Sequence, residues 1–261
     1  MLRIDQYAYK NACIDVHPVE KAVFSFSLLL LSIATKNVMV AIITFTLVSV
    51  MIVIAAKIPL RYYIKLLSLP LVFLLSSVLV ILVSVVSIDT EVLNALWQVE
   101  MGIWKLYISS ANLEQSINMI FTVMTSISCM YFMILTTPVQ QLIWLLQKCR
   151  VPKLFLELAL FTYHFIFVLL GKSHQIYIAQ SNRLGYRTYR SGLASSGQLI
   201  VSLFIKSMIS AKNFQMALDS RGGEDGLYDV ETNQSYKPAH WLIISLFLIG
   251  LLVLDHLTKK V

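Results

Sequence analysis

Three long stretches without a charged residue decide what this chain can fold into. Val38 to Ala56, Leu66 to Ile88 and Ser116 to Thr136 contain no Asp, Glu, Lys or Arg. They are 19, 23 and 21 residues long, and a helix needs roughly 20 apolar residues to cross the hydrocarbon core of a bilayer. Each stretch is therefore predicted to be a transmembrane helix.

The composition agrees with a membrane protein and excludes an ordinary soluble domain. The chain has 261 residues, of which 57% are hydrophobic and only 13% are charged, whereas soluble domains carry about 25% charged residues. The net charge of +7 does not indicate nucleic-acid binding, because the cytoplasmic loops of membrane proteins are enriched in Lys and Arg.

Shorter apolar segments complete the pattern. Ala22 to Thr35 is short for a span, but Lys21 and Lys36 could extend towards the interface and lengthen it. Ala239 to Leu254 is predicted to be the last span, and Val139 to Cys149 is predicted to be a helix that lies at the membrane interface. The apolar stretch 155–171 carries Glu157 and His164, which spans rarely contain.

The distribution of charge predicts the orientation. Basic residues cluster in the N-terminal leader, at 57–65, at 148–153 and throughout 172–221, whereas 89–114 is acidic on balance. The positive-inside rule places the basic groups in the cytoplasm and the acidic loop outside. If 155–171 also crossed the membrane, the basic region after it would lie outside, so we expect 155–171 to stay at the cytoplasmic face.

The predicted fold is an all-α integral membrane protein with about five transmembrane helices, or six if 155–171 does cross. Residues 1–136 would form a leader and four spans, 137–239 a cytoplasmic helical insertion, and 240–261 the last span. The N-terminus is expected in the cytoplasm, and the protein is expected in the inner (cytoplasmic) membrane as a multi-pass protein.

One short pattern occurs twice in the predicted insertion. Ala179 to Gly185 and Ala217 to Gly223 both read A-x-x-x-R-x-G. An alanine and an arginine four residues apart share one helix face, and the glycine suits a helix C-terminus. Each copy could dock an arginine in an acidic groove of a partner, because a guanidinium pairs with a carboxylate through two hydrogen bonds. The alternative, a pair of ordinary cytoplasmic charges, stays open.

The sequence also predicts helices around the two copies. Arg183, Arg187 and Arg190 would share one basic face of a helix that starts at Lys172. The glycine and serine residues between 191 and 197 would interrupt the chain, and a second helix with an apolar stripe would run from Gln198 to the pair Gly222–Gly223.

Motifs for catalysis or metal binding are missing from the sequence. Gly171-Lys172-Ser173 ends like a phosphate-binding loop, but Ile166 stands where such a loop needs glycine. The five histidines lack the H-E-x-x-H spacing, and the three cysteines form no C-x-x-C pair. The chain is therefore not predicted to be an enzyme or to hold a metal.

Two features together resemble a known family. The leader contains Ile4 to Asn11 followed by Val16-His17-Pro18-Val19-Glu20-Lys21, and the double motif lies on cytoplasmic helices. In these features the chain resembles the transmembrane coupling subunits of energy-coupling factor (ECF) transporters, in the cobalt-type CbiQ branch. The first motif departs from the family pattern, because Leu184 separates Arg183 from Gly185.

The resemblance implies a non-catalytic scaffold. It would link two cytoplasmic ABC-type ATPases, which bind ATP and Mg²⁺, to a CbiM-like membrane subunit that binds cobalt or, alternatively, nickel; a small accessory membrane protein could join them. The ATPase-coupling residues would be Ala179, Arg183, Gly185, Ala217, Arg221 and Gly222. A vitamin importer subunit and a stand-alone membrane carrier or anchor stay as alternatives.

Overall fold

The computed structural model describes residues 3–35, 37–87, 95–101, 104–220, 234, 236 and 238–258. These residues fall into two compact units, one made of 3–138 with 234–258 and the other of 139–220. The described helices are α1 (Arg3–Lys10), α2 (Pro18–Thr35), α3 (Val38–Val50), α4 (Leu60–Leu82), α5 (Ser110–Thr136), α6 (Val139–Lys148), α7 (Lys153–Asn182), α8 (Tyr189–Asp219) and α9 (Pro238–Thr258). A π-helical turn, Met51–Ala55, extends α3, and the strands are β1 (Ser84–Ser87), β2 (Ala95–Met101) and β3 (Trp104–Ser109).

Helix α5 is the centre of the larger unit and packs against α1, α2, α3 and α4. Its small and hydroxyl residues let the neighbouring backbones approach closely, as its composition predicts. Ser25 Oγ donates to the Cys129 carbonyl at 2.6 Å, and Thr125 Oγ1 donates to the Ala41 carbonyl at 2.9 Å. Around these bonds lies an apolar core that includes Leu28, Val40, Val48, Ile52 and Leu135.

The expectation that Lys21 extends towards the interface is wrong. Lys21 is buried, and its Nζ donates to the Thr136 carbonyl at 3.0 Å. Thr136 is the last residue of α5, where carbonyls have no partner within the helix and the helix dipole attracts a cation. The lysine therefore caps α5 instead of lengthening α2.

Seven of the described helical segments are long and apolar enough to cross a membrane. They correspond to α2, α3 with its π-helical turn, α4, α5, α7, α8 and α9. The coarse prediction, a multi-pass membrane protein built mainly of helices, is confirmed. The number of five spans stays a prediction, because α7 and α8 also have the required length and composition. The division at 136 and 239 also stays a prediction.

The fourth helix is displaced from its predicted position at 66–88. Helix α4 begins at Leu60, directly after Pro59, and ends at Leu82. A proline has a fixed backbone angle and lacks an N–H group, so it readily precedes a helix and starts this one earlier than the charge pattern indicates. The chain then turns into strand β1 before the predicted end is reached.

The small antiparallel sheet is a departure from an all-α fold. Its strand order is β1-β3-β2, with Ser84 opposite Tyr107 and Gln98 opposite Tyr107 on the other edge of β3. Two of these strands lie in the segment 89–114, which the sequence predicts as a loop. The alternation of apolar and polar residues in Trp104–Ser109, with its aromatic and β-branched residues, is the local signal that favours a strand.

The smaller unit contains helices α6, α7 and α8. Helix α6 matches the helix predicted at 139–149. Helix α7 is continuous from Lys153 to Asn182, so the predicted separation of 155–171 from a helix that starts at Lys172 is wrong. Gly171 lies within α7, where a lone glycine weakens a helix without ending it.

Helix α8 begins earlier than the sequence predicts. Thr188 caps it, and its Oγ1 accepts a hydrogen bond from the Ser191 backbone N–H at 3.3 Å. The serine and glycine residues at 191–197 therefore lie inside the helix rather than between two elements. The Ser191 and Ser195 hydroxyls also donate to the Gly185 carbonyl, and these bonds together with the cap offset the low helix propensity of the residues that follow it.

Candidate docking site at the end of helix α7

The first copy of the repeated motif forms the C-terminal end of α7. Arg183 is the C-cap residue. The Gly185 N–H donates to the Gln180 carbonyl at 2.9 Å, and the Leu184 N–H donates to the Ser181 carbonyl at 2.9 Å. These two bonds define a Schellman motif, which normally places glycine at the residue after the cap. Here that residue is Leu184, with φ of 60°.

Gly185 is required by close packing rather than by its own backbone angle. A Cβ atom at this position would lie 2.7 Å from Ser195 Oγ and 2.9 Å from the Gln180 carbonyl oxygen. The Gly185 carbonyl accepts hydrogen bonds from Ser191 Oγ at 2.7 Å and from Ser195 Oγ at 2.9 Å. The glycine of the motif therefore joins the end of α7 to the start of α8.

Gln180 holds the same turn through its side chain. Its Nε2 donates to the Ser195 carbonyl at 3.0 Å, and its Oε1 accepts from the Tyr186 hydroxyl at 2.8 Å. The Tyr186 ring also contacts the Tyr177 ring, with centroids 4.9 Å apart. Arg183 is thus an exposed residue on a turn that is bonded on both sides.

A groove with a volume of about 690 Å³ lies between α7 and α8. Its small residues are Ala179, Ala194 and Gly197, and its two cations are Arg183 and Lys206. The small side chains leave room for another segment to approach the helix backbones, and the cations would attract a carboxylate. Ala179 and Arg183, which the sequence singles out as a pair, therefore do line one surface.

The predicted single basic face of Arg183, Arg187 and Arg190 is wrong. Arg183 caps α7, Arg187 lies in the turn, and Arg190 lies in the first turn of α8. The helix ends because the Schellman motif forms after Asn182. All three side chains are exposed, and none has a described acidic residue within ion-pair distance.

The second copy of the motif is described only in part. Ala217 is exposed on the last turn of α8, which ends at Asp219, and it is not among the residues that line the groove. Arg221 and Gly222 lie outside the described residues. Their assignment as coupling residues stays a prediction.

The two ionisable residues noted within 155–171 both contact neighbouring side chains. Glu157 pairs with Lys153 one helical turn earlier, with 3.7 Å between Nζ and Oε1, and His164 stacks near Phe214 with centroids 6.2 Å apart. Within the described parts of the chain, no three His, Cys, Asp or Glu side chains are grouped as metal ligands.

Sequence reasoning missed the residues that build the turn. Gln180, Tyr186 and Ser195 form its hydrogen bonds, but they belong to no recognisable motif. The serine lies ten residues after Gly185, and only the fold brings the two together. The available signal was the threonine at 188, a residue type that commonly caps helices.

Comparison with known proteins identifies relatives along most of the chain. The family of cobalt transport proteins named CbiQ matches residues 10–232. An uncharacterized protein of Methanocaldococcus jannaschii is 25% identical over 256 residues, which is 98% of this chain and 93% of the relative.

Relatives named as cobalt transport proteins match shorter parts of the chain. A putative fused cobalt transport protein CbiMQ of Methanocorpusculum labreanum is 33% identical over 64% of this chain and 27% of its own length. A cobalt transport protein CbiQ of Rhodobacter capsulatus is 32% identical over 43% of this chain and 45% of its own length. With the family match extending over most of its length, this multi-pass membrane protein belongs to the CbiQ family of cobalt transport proteins.

Proposed function

We propose that this chain is the transmembrane coupling subunit of an ECF-type ABC importer for cobalt. In this role it binds two cytoplasmic ABC-type ATPases and a substrate-binding membrane subunit, and it transmits motion between them. The observation that carries the proposal is Arg183, which is exposed on a firmly bonded turn beside the groove between α7 and α8, in a chain of the CbiQ family.

The charge of the smaller unit supports docking of an acidic partner. Residues 139–220 contain nine Lys or Arg and two Asp or Glu, so this segment carries a charge equal to that of the whole protein. Such a potential steers an acidic surface towards the segment and favours its location on the cytoplasmic side of the inner membrane. Arg183 then adds directional pairing, because its planar guanidinium can bind a carboxylate at two points.

Helix α7 is suited to transmit movement. Its 30 residues give a length of about 45 Å at 1.5 Å per residue, and a continuous helix moves as one body. A displacement imposed on Arg183 by an ATPase would therefore reach the other end of α7 near Lys153. There, exposed apolar residues that include Leu154, Phe155 and Leu158 offer a surface for another membrane subunit.

In this proposal, nucleotide binding and metal binding belong to different partner subunits. ATP and Mg²⁺ would be bound by the ATPases, and the transported metal by a CbiM-like subunit, so the chain itself needs neither a cofactor nor a metal ligand. The relative whose name joins CbiM with CbiQ in one protein supports this pairing. Selection between cobalt and nickel would then belong to the partner, with a small accessory membrane protein as a further component.

The test is recovery of partners with the tagged chain from membranes of its source organism. The wild type should bring two ABC-type ATPases and a second membrane protein. Replacing both Arg183 and Arg221 with Glu should remove the ATPases and leave the chain inserted. The charge-matched control, Lys10→Glu with Arg150→Glu, changes two exposed cations outside the two A-x-x-x-R-x-G copies and should retain the ATPases.

Arg183→Lys refines the test, because it keeps the charge and removes the two-point pairing. ATPase recovery should therefore fall although the net charge is unchanged. Full recovery and normal metal uptake by the double Glu variant would show that the repeated motif does not couple ATPases.

A further inference from the structure

Helix α4 presents one face on which basic residues precede a stripe of aliphatic residues. Arg61 and Lys65 are four residues apart and therefore lie on the same side of the helix. The residues that follow on this side, at helical spacing, are Leu69, Val72, Leu75 and Leu79. All four are exposed, Leu69 to 79% and Val72 to 71%.

Little of α4 is covered by the rest of its unit. Its buried residues are Tyr63 and Leu74, and α5 is its main neighbour. The face that carries Arg61 and Leu69 therefore points away from the described core. In a membrane-spanning helix such a face contacts either lipid or another membrane protein.

The cations at the start of α4 have no counter-charge in the described structure. Lys57, Arg61 and Lys65 are all exposed, and no described acidic side chain lies within ion-pair distance of them. They surround the N-terminal end of α4, where the helix dipole adds further positive potential. This end of the helix therefore favours an anion that the chain does not supply.

We propose that this face of α4 binds an anionic phospholipid, with its phosphate at Arg61 and Lys65 and its acyl chains along the aliphatic stripe. From Leu69 to Leu79 the helix rises about 15 Å, at 1.5 Å per residue. This distance is about half of the roughly 30 Å hydrocarbon core, and so matches the acyl region of one leaflet. The cations then lie at the level of the headgroups.

Charge complementarity identifies the lipid as the occupant. The cations occur at one end of the stripe, and the rest of the face carries only aliphatic or small side chains, as an amphiphile with one anionic end requires. The site belongs to the unit that contains α4 and involves no residue of the turn at Arg183. The lipid proposal can therefore be tested independently of the proposed coupling function.

The test is lipid binding to the purified full chain in detergent, followed by native mass spectrometry. Phosphatidylglycerol and phosphatidylcholine with identical acyl chains are titrated separately. Phosphatidylglycerol should bind at least tenfold more tightly. Arg61→Gln with Lys65→Gln should weaken its binding about 30-fold, the effect of two cations near an anionic headgroup.

The matched control is Lys10→Gln with Arg150→Gln, which removes the same two types of exposed cation elsewhere and should leave binding unchanged. Circular dichroism confirms that each variant keeps its helices. Equal binding of the two lipids, or equal losses in both variant pairs, would overturn the proposal. Displacement of phosphatidylglycerol by an equal concentration of glycerol phosphate would also overturn it, because the site would then recognise phosphate alone.

Discussion

Leu184 adopts a backbone conformation that is unfavourable for leucine. Its φ of 60° lies in the left-handed region, which costs an L-residue roughly 1–2 kcal/mol relative to glycine. Its side chain is 64% exposed and so contributes little packing in return. We expect Leu184→Gly to raise the free energy of unfolding by about 1 kcal/mol, measured by denaturation in detergent.

Leu184→Ala is the control for this change, because it removes the side chain but keeps a Cβ atom in the left-handed conformation. It should leave the free energy of unfolding nearly unchanged. If glycine and alanine have equal effects, the Schellman motif at this turn is not strained.

Gly185 is a second residue whose role can be tested by adding one methyl group. A Cβ would lie within 3.0 Å of Ser195 Oγ and of the Gln180 carbonyl oxygen. We expect Gly185→Ala to lower the free energy of unfolding by about 1–3 kcal/mol, because the turn must shift. Gly171→Ala is the control: apart from its chain neighbours and the backbone of its own helix, no described atom lies within 4 Å of its added Cβ, so improved helix propensity should stabilise α7.

Cys13 gives a prediction that depends on pH. Burial raises the pKa of the Cys13 thiol, and the nearby Lys21 charge partly opposes this. Because the folded pKa is above the unfolded one, the neutral thiol contributes stability below the unfolded pKa, and this is lost as pH rises through the folded pKa. A raised pKa also leaves less of the reactive thiolate at Cys13 at pH 8. At this pH a maleimide should therefore label exposed Cys149 well before half-buried Cys13. Equal rates would contradict the burial of Cys13.

At the scale of the elements, Glu20 and His240 join the beginnings of α2 and α9. Glu20 is only 2% exposed, and its Oε2 lies 2.6 Å from His240 Nδ1. This hydrogen bond joins the two helices and is shielded from solvent on the Glu20 side. A double-mutant cycle with Glu20→Gln and His240→Asn should give an interaction free energy of about 1–3 kcal/mol.

The control for this cycle uses the other end of the same helix. His256 is 16 residues after His240 in α9, which corresponds to about 24 Å of helix. Glu20→Gln and His256→Asn should therefore have additive effects on the free energy of unfolding. Coupling of similar size in both cycles would show that the contact is not specific.

The success of sequence prediction varied between elements for physical reasons. Helix α5 was predictable because 116–136 is uncharged and contains the small and hydroxyl residues of a packed span. Helix α8 was predicted to begin too late, because its Thr188 cap is a single residue with little weight beside several glycines and serines. The sheet was missed because strand pairing between Ser84–Ser87 and Trp104–Ser109 is a long-range contact.

The candidate site also has one part that local sequence predicts and another that depends on long-range contacts. The four-residue spacing predicted correctly that Ala179 and Arg183 share a surface. It could not predict that Gly185 is held by Ser191 and Ser195, since these bonds require α8 to fold back beside α7. Local spacing thus indicated the groove, whereas the reason for the glycine came from tertiary structure.

For the whole molecule, the uneven distribution of charge is the main guide to orientation. Residues 139–220 contain nine cations and two acidic residues, and the remainder of the chain contains twelve of each. Placing this segment in the cytoplasm satisfies the positive-inside rule. Yet α7 and α8 are long and apolar enough to span, so charge and hydropathy make different predictions for the same helices.

Accessibility of a cysteine placed at Ser173 separates these two predictions. In a variant with its three native cysteines replaced by alanine, Ser173→Cys should resist a membrane-impermeant maleimide added from outside, because we expect 155–171 to remain on the cytoplasmic side. Glu114→Cys, on the segment predicted to be external, should be labelled. Both should react after the membrane is permeabilised. Labelling of Ser173→Cys from outside would mean that 155–171 crosses the membrane and places the cations after it on the far side, where no ATP-driven partner could dock at Arg183.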